Sequence, residues 1–360
     1  MSAKQSLLDR LRIDLPILQA PMAWASGSAM AIAVSNAGGL GSIPCAMLSP
    51  ASVQSEIAEF RQHSSKPLNL NFFCHSSPAT DHGRDTAWKQ KLATYNAEFG
   101  LDSSIETPFV NRAPFGETMC DIVEDTQPEV VSFHFGLPAS PLLDRVKSTG
   151  AYVIASATTV AEAAWLETNG CDAVIAQGFE AGGHRGMFLT QDISTQSGTL
   201  ALVPQIVDAL SVPVIAAGGI SDGRGVAAAL VLGAQAAQVG TAYLFTPQAL
   251  ISDLHRDALL STPEGNSALT NLFTGRPARS LMNRLMRDNG PISALAPPFP
   301  TAGAALAQLK IAAEARGKTD FSSLWSGQAS GLCNQTGAAD LTRQLAENAK
   351  SHLNRLAGRN

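Results

Sequence analysis

Residues 176–186 read Ala-Gln-Gly-Phe-Glu-Ala-Gly-Gly-His-Arg-Gly and set one histidine, His184, among glycines directly after an apolar run. Glycines permit positive φ angles and let backbone N–H groups approach a ligand. An imidazole beside them can exchange a proton or hold an anion near neutral pH. Taken alone, the segment also reads as a plain glycine turn carrying an exposed histidine. Two later segments bear on that choice. Gly218 and Gly219 follow the run 212–217, and Gly240-Thr241 follows Gln238-Val239. In barrels, loops after the seventh and eighth strands cradle a phosphate with glycine amides and a helix N-terminus, to which Thr241 adds a hydroxyl. Neither GxGxxG nor GxxxxGK[ST] occurs, which argues against a Rossmann dinucleotide site or a P-loop. A single phosphate held at a barrel mouth remains, the mode in which FMN barrels hold their cofactor.

Other polar or polarizable residues stand at the ends of apolar runs. Pro21-Met22-Ala23 closes the first, and a thioether there can lie against a flat ring. Asn71 and His134 end the third and fourth, and Gln177 ends the sixth. Singly, Met22 reads as core and His134 as a satisfied interior histidine.

These residues need a scaffold that brings strand ends together. Strand-like runs at 16–22, 40–45, 68–73, 130–135, 151–157, 173–177, 212–217 and 236–240 alternate with helical patterns at 29–37, 51–62, 117–126, 142–148, 160–169, 200–210 and 225–232. This alternation predicts successive βαβ units and a parallel sheet. Eight strands point to an α/β fold, a (β/α)8 TIM barrel, with a doubly wound open sheet as the competitor. Residues 1–245 are expected to form the FMN-binding barrel, with an insertion at 74–116 carrying Trp88, Tyr95 and Phe99 into the active-site wall. After 246 the rhythm stops. Residues 246–315 are expected to form a second, smaller cap or substrate domain, and 316–360 to pack back on the barrel.

Composition agrees with such a fold. Apolar residues make up 45% and charged ones 15%, enough for a large core. A net charge of −5 with dispersed basic residues offers no nucleic-acid or anionic-membrane surface. The five cysteines, Cys45, Cys74, Cys120, Cys171 and Cys333, show no metal-ligand spacing, so reduced thiols and no metal are expected. Residues 1–15 carry five charges and no signal-peptide apolar stretch, so a cytoplasmic enzyme is expected.

The segments 19–23, 68–73, 132–138 and 176–186, in this order, resemble the four motifs of class I nitronate monooxygenases, formerly 2-nitropropane dioxygenases. The similarity continues through 216–225, 238–241, Thr-Gly-Arg-Pro-Ala-Arg at 274–279 and Trp-Ser-Gly-Gln at 325–328. The resemblance implies non-covalently bound FMN and oxidation of alkyl nitronates, such as propionate 3-nitronate, by O2 to carbonyl compounds and nitrite or nitrate through an anionic flavosemiquinone. With the residue reading it places Pro21, Met22, Ala23, Asn71, Gln177, Gly182, Gly183, Gly218, Gly219, Gln238, Val239, Gly240 and Thr241 at the flavin. Met22, Trp24, His134 and His184 fall at the substrate, with His184 catalytic. The chain also departs from its relatives. Trp24-Ala25 stands where many have Gly and an aliphatic residue, and Phe299, Gly303 and Ala307 stand where tyrosines and a lysine are usual. Three readings stay open beside this one: an NADH:quinone or enoyl-thioester reductase on the same barrel, a flavin-free barrel such as a sugar-phosphate isomerase, and a catalytically silent FMN-binding protein. Oligomeric state is left open.

Overall fold

A computed structural model describes residues 6–79, 81–102, 113–262 and 266–358. Eight strands run parallel: β1 (Ile17–Gln19), β2 (Gly41–Pro44), β3 (Leu68–Phe73), β4 (Val130–His134), β5 (Tyr152–Ala157), β6 (Ala173–Gln177), β8 (Val214–Ala217) and β9 (Ala236–Val239). Their spatial order is β1-β9-β8-β6-β5-β4-β3-β2. The ring closes where Leu18 bridges Leu40, with Gln19 N donating to Leu40 O and Leu40 N to Ile17 O, each at 2.9 Å. A barrel, not an open sheet, is therefore the fold.

Strand alternation decides what each residue meets. Ile154, Ala173, Ile175, Ile215 and Ala236 pack inside the barrel, while Val153, Val174, Val214 and Ala237 face the helices. The short helix α1 (Leu7–Leu11) adds Leu7 and Leu11 to the interior cluster, and Leu7 N donates to the Gln235 side chain at 3.0 Å. Since Gln235 precedes β9, α1 sits at the amino-terminal end of the barrel and leaves the carboxyl end open.

Around the strands lie α2 (Ser28–Asn36), α3 (Pro50–His63), α5 (Glu117–Thr126), α6 (Ser140–Ser148), α7 (Val160–Thr168), α8 (Thr199–Ala209) and α9 (Gly223–Val231). A short 3-10 helix (Thr241–Phe245), not an α-helix of the ring, follows β9 directly. The C-terminal helix α13 (Ala338–Leu356) fills that place, packing between α9 and α2 through Leu341, Leu345 and Ala349. A Cβ on Gly223 would come within 2.5 Å of Asn348 Cβ, so α9 and α13 pack at glycine distance.

The first strand is shorter than its sequence suggested. Pro21 offers no N–H for a ladder, and Met22 O instead accepts from Ala25 N and Ser26 N, turning the chain. A second difference is the two-residue strand β7 (Gly183–His184). It joins an antiparallel sheet with β11 (Ala278–Leu281) and β10 (Ser267–Thr270), none of which was expected.

Residues 80 and 103–112 of the insertion at 74–116 lie outside the described residues, and none of its described residues lines the open end of the barrel. Its helix α4 (His82–Phe99) turns Trp88, Leu92, Tyr95 and Phe99, one helical stripe, into a separate apolar cluster. There they meet Leu272 and Phe273, Leu285 and Met286 of α11 (Arg284–Asn289), Leu309 and Ala313 of α12 (Ala307–Glu314), and Phe321. The remaining helix, α10 (Asp253–Ser261), buries Leu259 against Phe245, Leu281 and Leu324. Among the described residues no helix is long and apolar enough to cross a membrane.

Candidate active site

A cavity of about 890 Å³ opens at the carboxyl ends of the strands, near the upper end of the ~300–1,000 Å³ usual for small-molecule sites. The inward-facing residues at the strand tops line it: Asn71 and Phe73 of β3, Ser132 and His134 of β4, Ser156 of β5, Gln177 of β6, Ala217 of β8 and Gln238 of β9. Pro21, Met22, Ala23, Trp24, Gly182, Gly183, His184, Gly218, Gly219, Gly240 and Thr241 border it as well. Val239 is the exception among the expected contacts. Strand alternation turns its side chain outward into the helix layer, where it is fully buried.

His184 stands at the centre of this wall. Its Nε2 shares a 3.0 Å hydrogen bond with Thr274 Oγ1. The ring lies 5.4 Å from Trp325, 5.5 Å from Phe299, 5.9 Å from Phe135 and 6.3 Å from Phe73, measured between centroids. Such an enclosure limits rotation of the half-buried imidazole. Thr274 and Trp325 belong to segments whose family resemblance was visible, yet no periodicity assigned them to a site. No described residue of the insertion borders the cavity; His75 instead supports Phe299 edge-on at 4.8 Å.

The loop carrying His184 is held by three arginines, of which Arg185 and Arg279 are buried and Arg276 is half-buried. Arg185 donates to the carbonyls of Gln177 and Gly178 and to the Gln196 side chain, Arg276 to Met187 O, and Arg279 to Phe179 O. Their hydrogen-bond acceptors are neutral oxygens, while the nearby Glu162 and Glu180 carboxylates offset part of the positive charge. Burial lowers the Arg185 pKa to about 9, with Arg279 nearby adding to the shift, and lowers that of Arg276 to about 10. The guanidinium of Arg276 also lies 4.0 Å from the Phe135 ring centroid. Phe135 itself adopts φ +71, a strained backbone for a bulky residue.

The other histidines bordering the cavity are held neutral. Burial, with Arg276 beside it, pushes the His134 pKa down to about 3, although the His184 carbonyl opposes the shift; Nδ1 of His134 shares a 3.1 Å bond with Ser156 Oγ. His255 was not foreseen from sequence. Burial lowers its pKa to about 4, and its Nε2 lies 3.2 Å from Trp325 O.

Some expected ligand contacts also carry structural duties. Gln177 Nε2 donates to His184 O at 3.0 Å, and its Oε1 accepts from Gly186 N at 2.7 Å. A Cβ on Gly182 would lie 2.5 Å from Gly327 N, so glycine is required for segment 325–328 to cross there. Gly218 and Gly219 have φ of +110 and +68, and Thr241 Oγ1 accepts from Gly327 N at 2.9 Å, leaving its hydroxyl proton for a ligand. The N-terminus of α9 is not available as an anion site. The Asp222 carboxylate caps it, taking the amides of Arg224 and Gly225.

A closed parallel barrel whose carboxyl end joins glycine loops and a histidine in one cavity has the architecture of an α/β-barrel enzyme. A family model described as nitronate monooxygenase matches residues 4–348. The chain belongs to this family and is an oxidoreductase. It is 41% identical over 339 residues to a nitronate monooxygenase of Pseudomonas aeruginosa, covering 94% of this chain and 97% of the relative. Identity is 39% to one of Paraburkholderia phytofirmans, covering 99% and 98%. A solved nitroalkane oxidase from Streptomyces ansochromogenes superposes with a TM-score of 0.88 at 35% identity, covering 98% of this chain and 100% of that one. FabK from Thermotoga maritima gives a TM-score of 0.72 at 26% identity, covering 99% of both chains.

Proposed function

We propose that the chain is an FMN-dependent nitronate monooxygenase that oxidises small alkyl nitronates with O2 to carbonyl compounds and nitrite or nitrate, with His184 contacting the substrate. The observation that carries this reading is one cavity holding a shielded histidine beside glycine loops suited to a phosphate. A cavity of about 890 Å³ bordered by Gly218 and Gly219, whose φ of +110 and +68 leave backbone without side chains at its rim, supports a mononucleotide as the ligand. Gly218, Gly219, Gly240 and Thr241 would hold the phosphate. Met22, Asn71, Gln177, Gly183 and Gln238 would meet the rest of the cofactor. When bound, FMN supplies the redox chemistry, accepting electrons from the nitronate and passing them to O2.

The chain's own residues bind and orient. Arg185, Arg276 and Arg279 outnumber the Glu162 and Glu180 carboxylates beside them, and this excess of positive charge draws the anionic nitronate in. His184 donates a hydrogen bond to a nitro oxygen, while Phe73, Phe135, Phe299 and Trp325 keep water away. A nitronate has already lost its α-proton, so no strong base is required. With a neutral nitroalkane, His184 would remove that proton. The five cysteines are free thiols, compatible with work in the reducing cytoplasm.

The test is direct. Heat-denatured protein should release FMN and not FAD, and ethylnitronate should change the flavin spectrum anaerobically. Protein that binds no flavin after reconstitution would overturn the reading. Rapid bleaching by NADH would move the chain to the sister reductases.

A further inference from the structure

Trp24 combines three properties that rarely coincide. Its backbone lies in the left-handed region at φ +65, its side chain is 64% exposed, and it borders the cavity. A bulky residue with positive φ is an outlier that persists only where its surroundings over-determine it. The turn does so here. Ala25 N and Ser26 N donate to Met22 O, Met22 N donates to Ser26 Oγ at 3.2 Å, and Gln19 Nε2 reaches the same hydroxyl at 3.3 Å. The turn thus forces a strained conformation on a tryptophan whose ring gains little burial from the protein. Leu250, 62% exposed, is pinned alongside by its amide bond to Ala25 O at 3.0 Å, and Met47 lines the same cavity.

We propose that Trp24, Leu250 and Met47 form an apolar subsite at the cavity mouth for the alkyl tail of the substrate. The subsite deepens the nitronate reading and rests on it. Continuity with the cavity commits it to the ligand held there, the indole being covered only when a tail lies across it. Selection for longer-chain substrates follows, since each buried methylene contributes about 0.8 kcal/mol, or roughly fourfold in affinity.

The experiment compares wild type with Trp24→Ala and Trp24→Gly. Alkanoates from butanoate to octanoate serve as unreactive planar anions, with binding to the flavin-loaded protein followed by calorimetry. kcat/KM is measured in parallel on ethyl-, butyl- and hexylnitronate. Wild type should gain about two- to fourfold in affinity per methylene, and both variants should lose most of that gain. A slope that persists in both variants overturns the subsite, including the case where flavin affinity falls or the protein changes oligomeric state. In flavin-free protein, Trp24→Gly should melt roughly 1–3 °C above Trp24→Ala because glycine relieves the backbone. Equal melting would remove the strain from the argument and overturn that part. Wild type that fails to oxidise ethylnitronate overturns the functional reading alone, since alkanoate affinity still decides the subsite.

Discussion

The two sides of His184 are built on different principles. On the barrel side, Asn71, Ser132, His134, Gln177 and Gln238 sit at regular strand positions, their directions set by two-residue alternation and backed by a continuous core. On the other side, Thr274, Phe299 and Trp325 come from irregular segments. Phe273 and Trp325 beside them pack on the cluster around Trp88 and Phe321. Chain between strands can drift without moving a barrel contact. The opposite wall depends on how one apolar cluster, fed by several distant stretches of chain, happens to pack. The barrel side is suited to holding a cofactor, and the cluster side to shaping what reaches His184.

The largest effect that would sharpen this contrast concerns His184, where the walls meet. His184→Asn should keep flavin bound while kcat/KM on neutral nitroethane falls by ~10²–10⁴-fold, the usual worth of a general base. On preformed ethylnitronate the loss should be smaller. Near-wild-type rates on both substrates would remove the residue from the mechanism, and equal severe losses would reject its role as a base.

Next comes Trp88→Ala, which empties the centre of the second cluster. It should cost about 3–5 kcal/mol in urea unfolding and reduce turnover more than flavin content. Flavin lost in proportion to activity would show that the two walls are not independent. A smaller change is Thr274→Val, which removes the hydroxyl on His184 Nε2 and little else. A neutral hydrogen bond contributes about 0.5–1.5 kcal/mol, so kcat/KM should fall up to about tenfold with an altered pH profile, and Thr274→Ser should restore it. An unchanged pH profile would make Thr274 a packing residue only.

The effect confined to acid conditions is linkage. His134 and His255 have folded pKa values of about 3 and 4, below the unfolded value of about 6.5. Below pH 6.5 the unfolded chain takes up protons that the folded one refuses, so stability should fall as pH drops from about 6.5 toward 4. His255→Gln should flatten that slope in melting curves taken across the window. An unchanged slope would assign the acid sensitivity to His134 or to other groups.

How much was readable in advance differs between the walls for a physical reason. β-branched runs alternating with helices of fixed length allow few topologies, so the barrel and its inward strand-end residues follow from local pattern. The same rule, applied residue by residue, turns Val239 away from the cavity. Glycine segments point to close backbone approach, but not to what approaches: Gly182 makes room for Gly327, and the amides that start α9 are taken by Asp222. Residues 74–116 looked like an active-site wall because they follow a strand end. Their helix carries an apolar stripe that needs a partner surface, and that surface is assembled from residues nearly two hundred positions away. No local period encodes which distant cluster a stripe will join. By itself, then, the sequence determined the eight βα-type strands and their inward strand-end residues, and singled out His184 among glycines, while closure of the ring came from the Leu18–Leu40 pairing. Only the tertiary structure decided the aromatic enclosure, the Thr274 contact, the neutral histidines and the exposed strain at Trp24, because each arises from long-range packing between segments that carry no shared pattern.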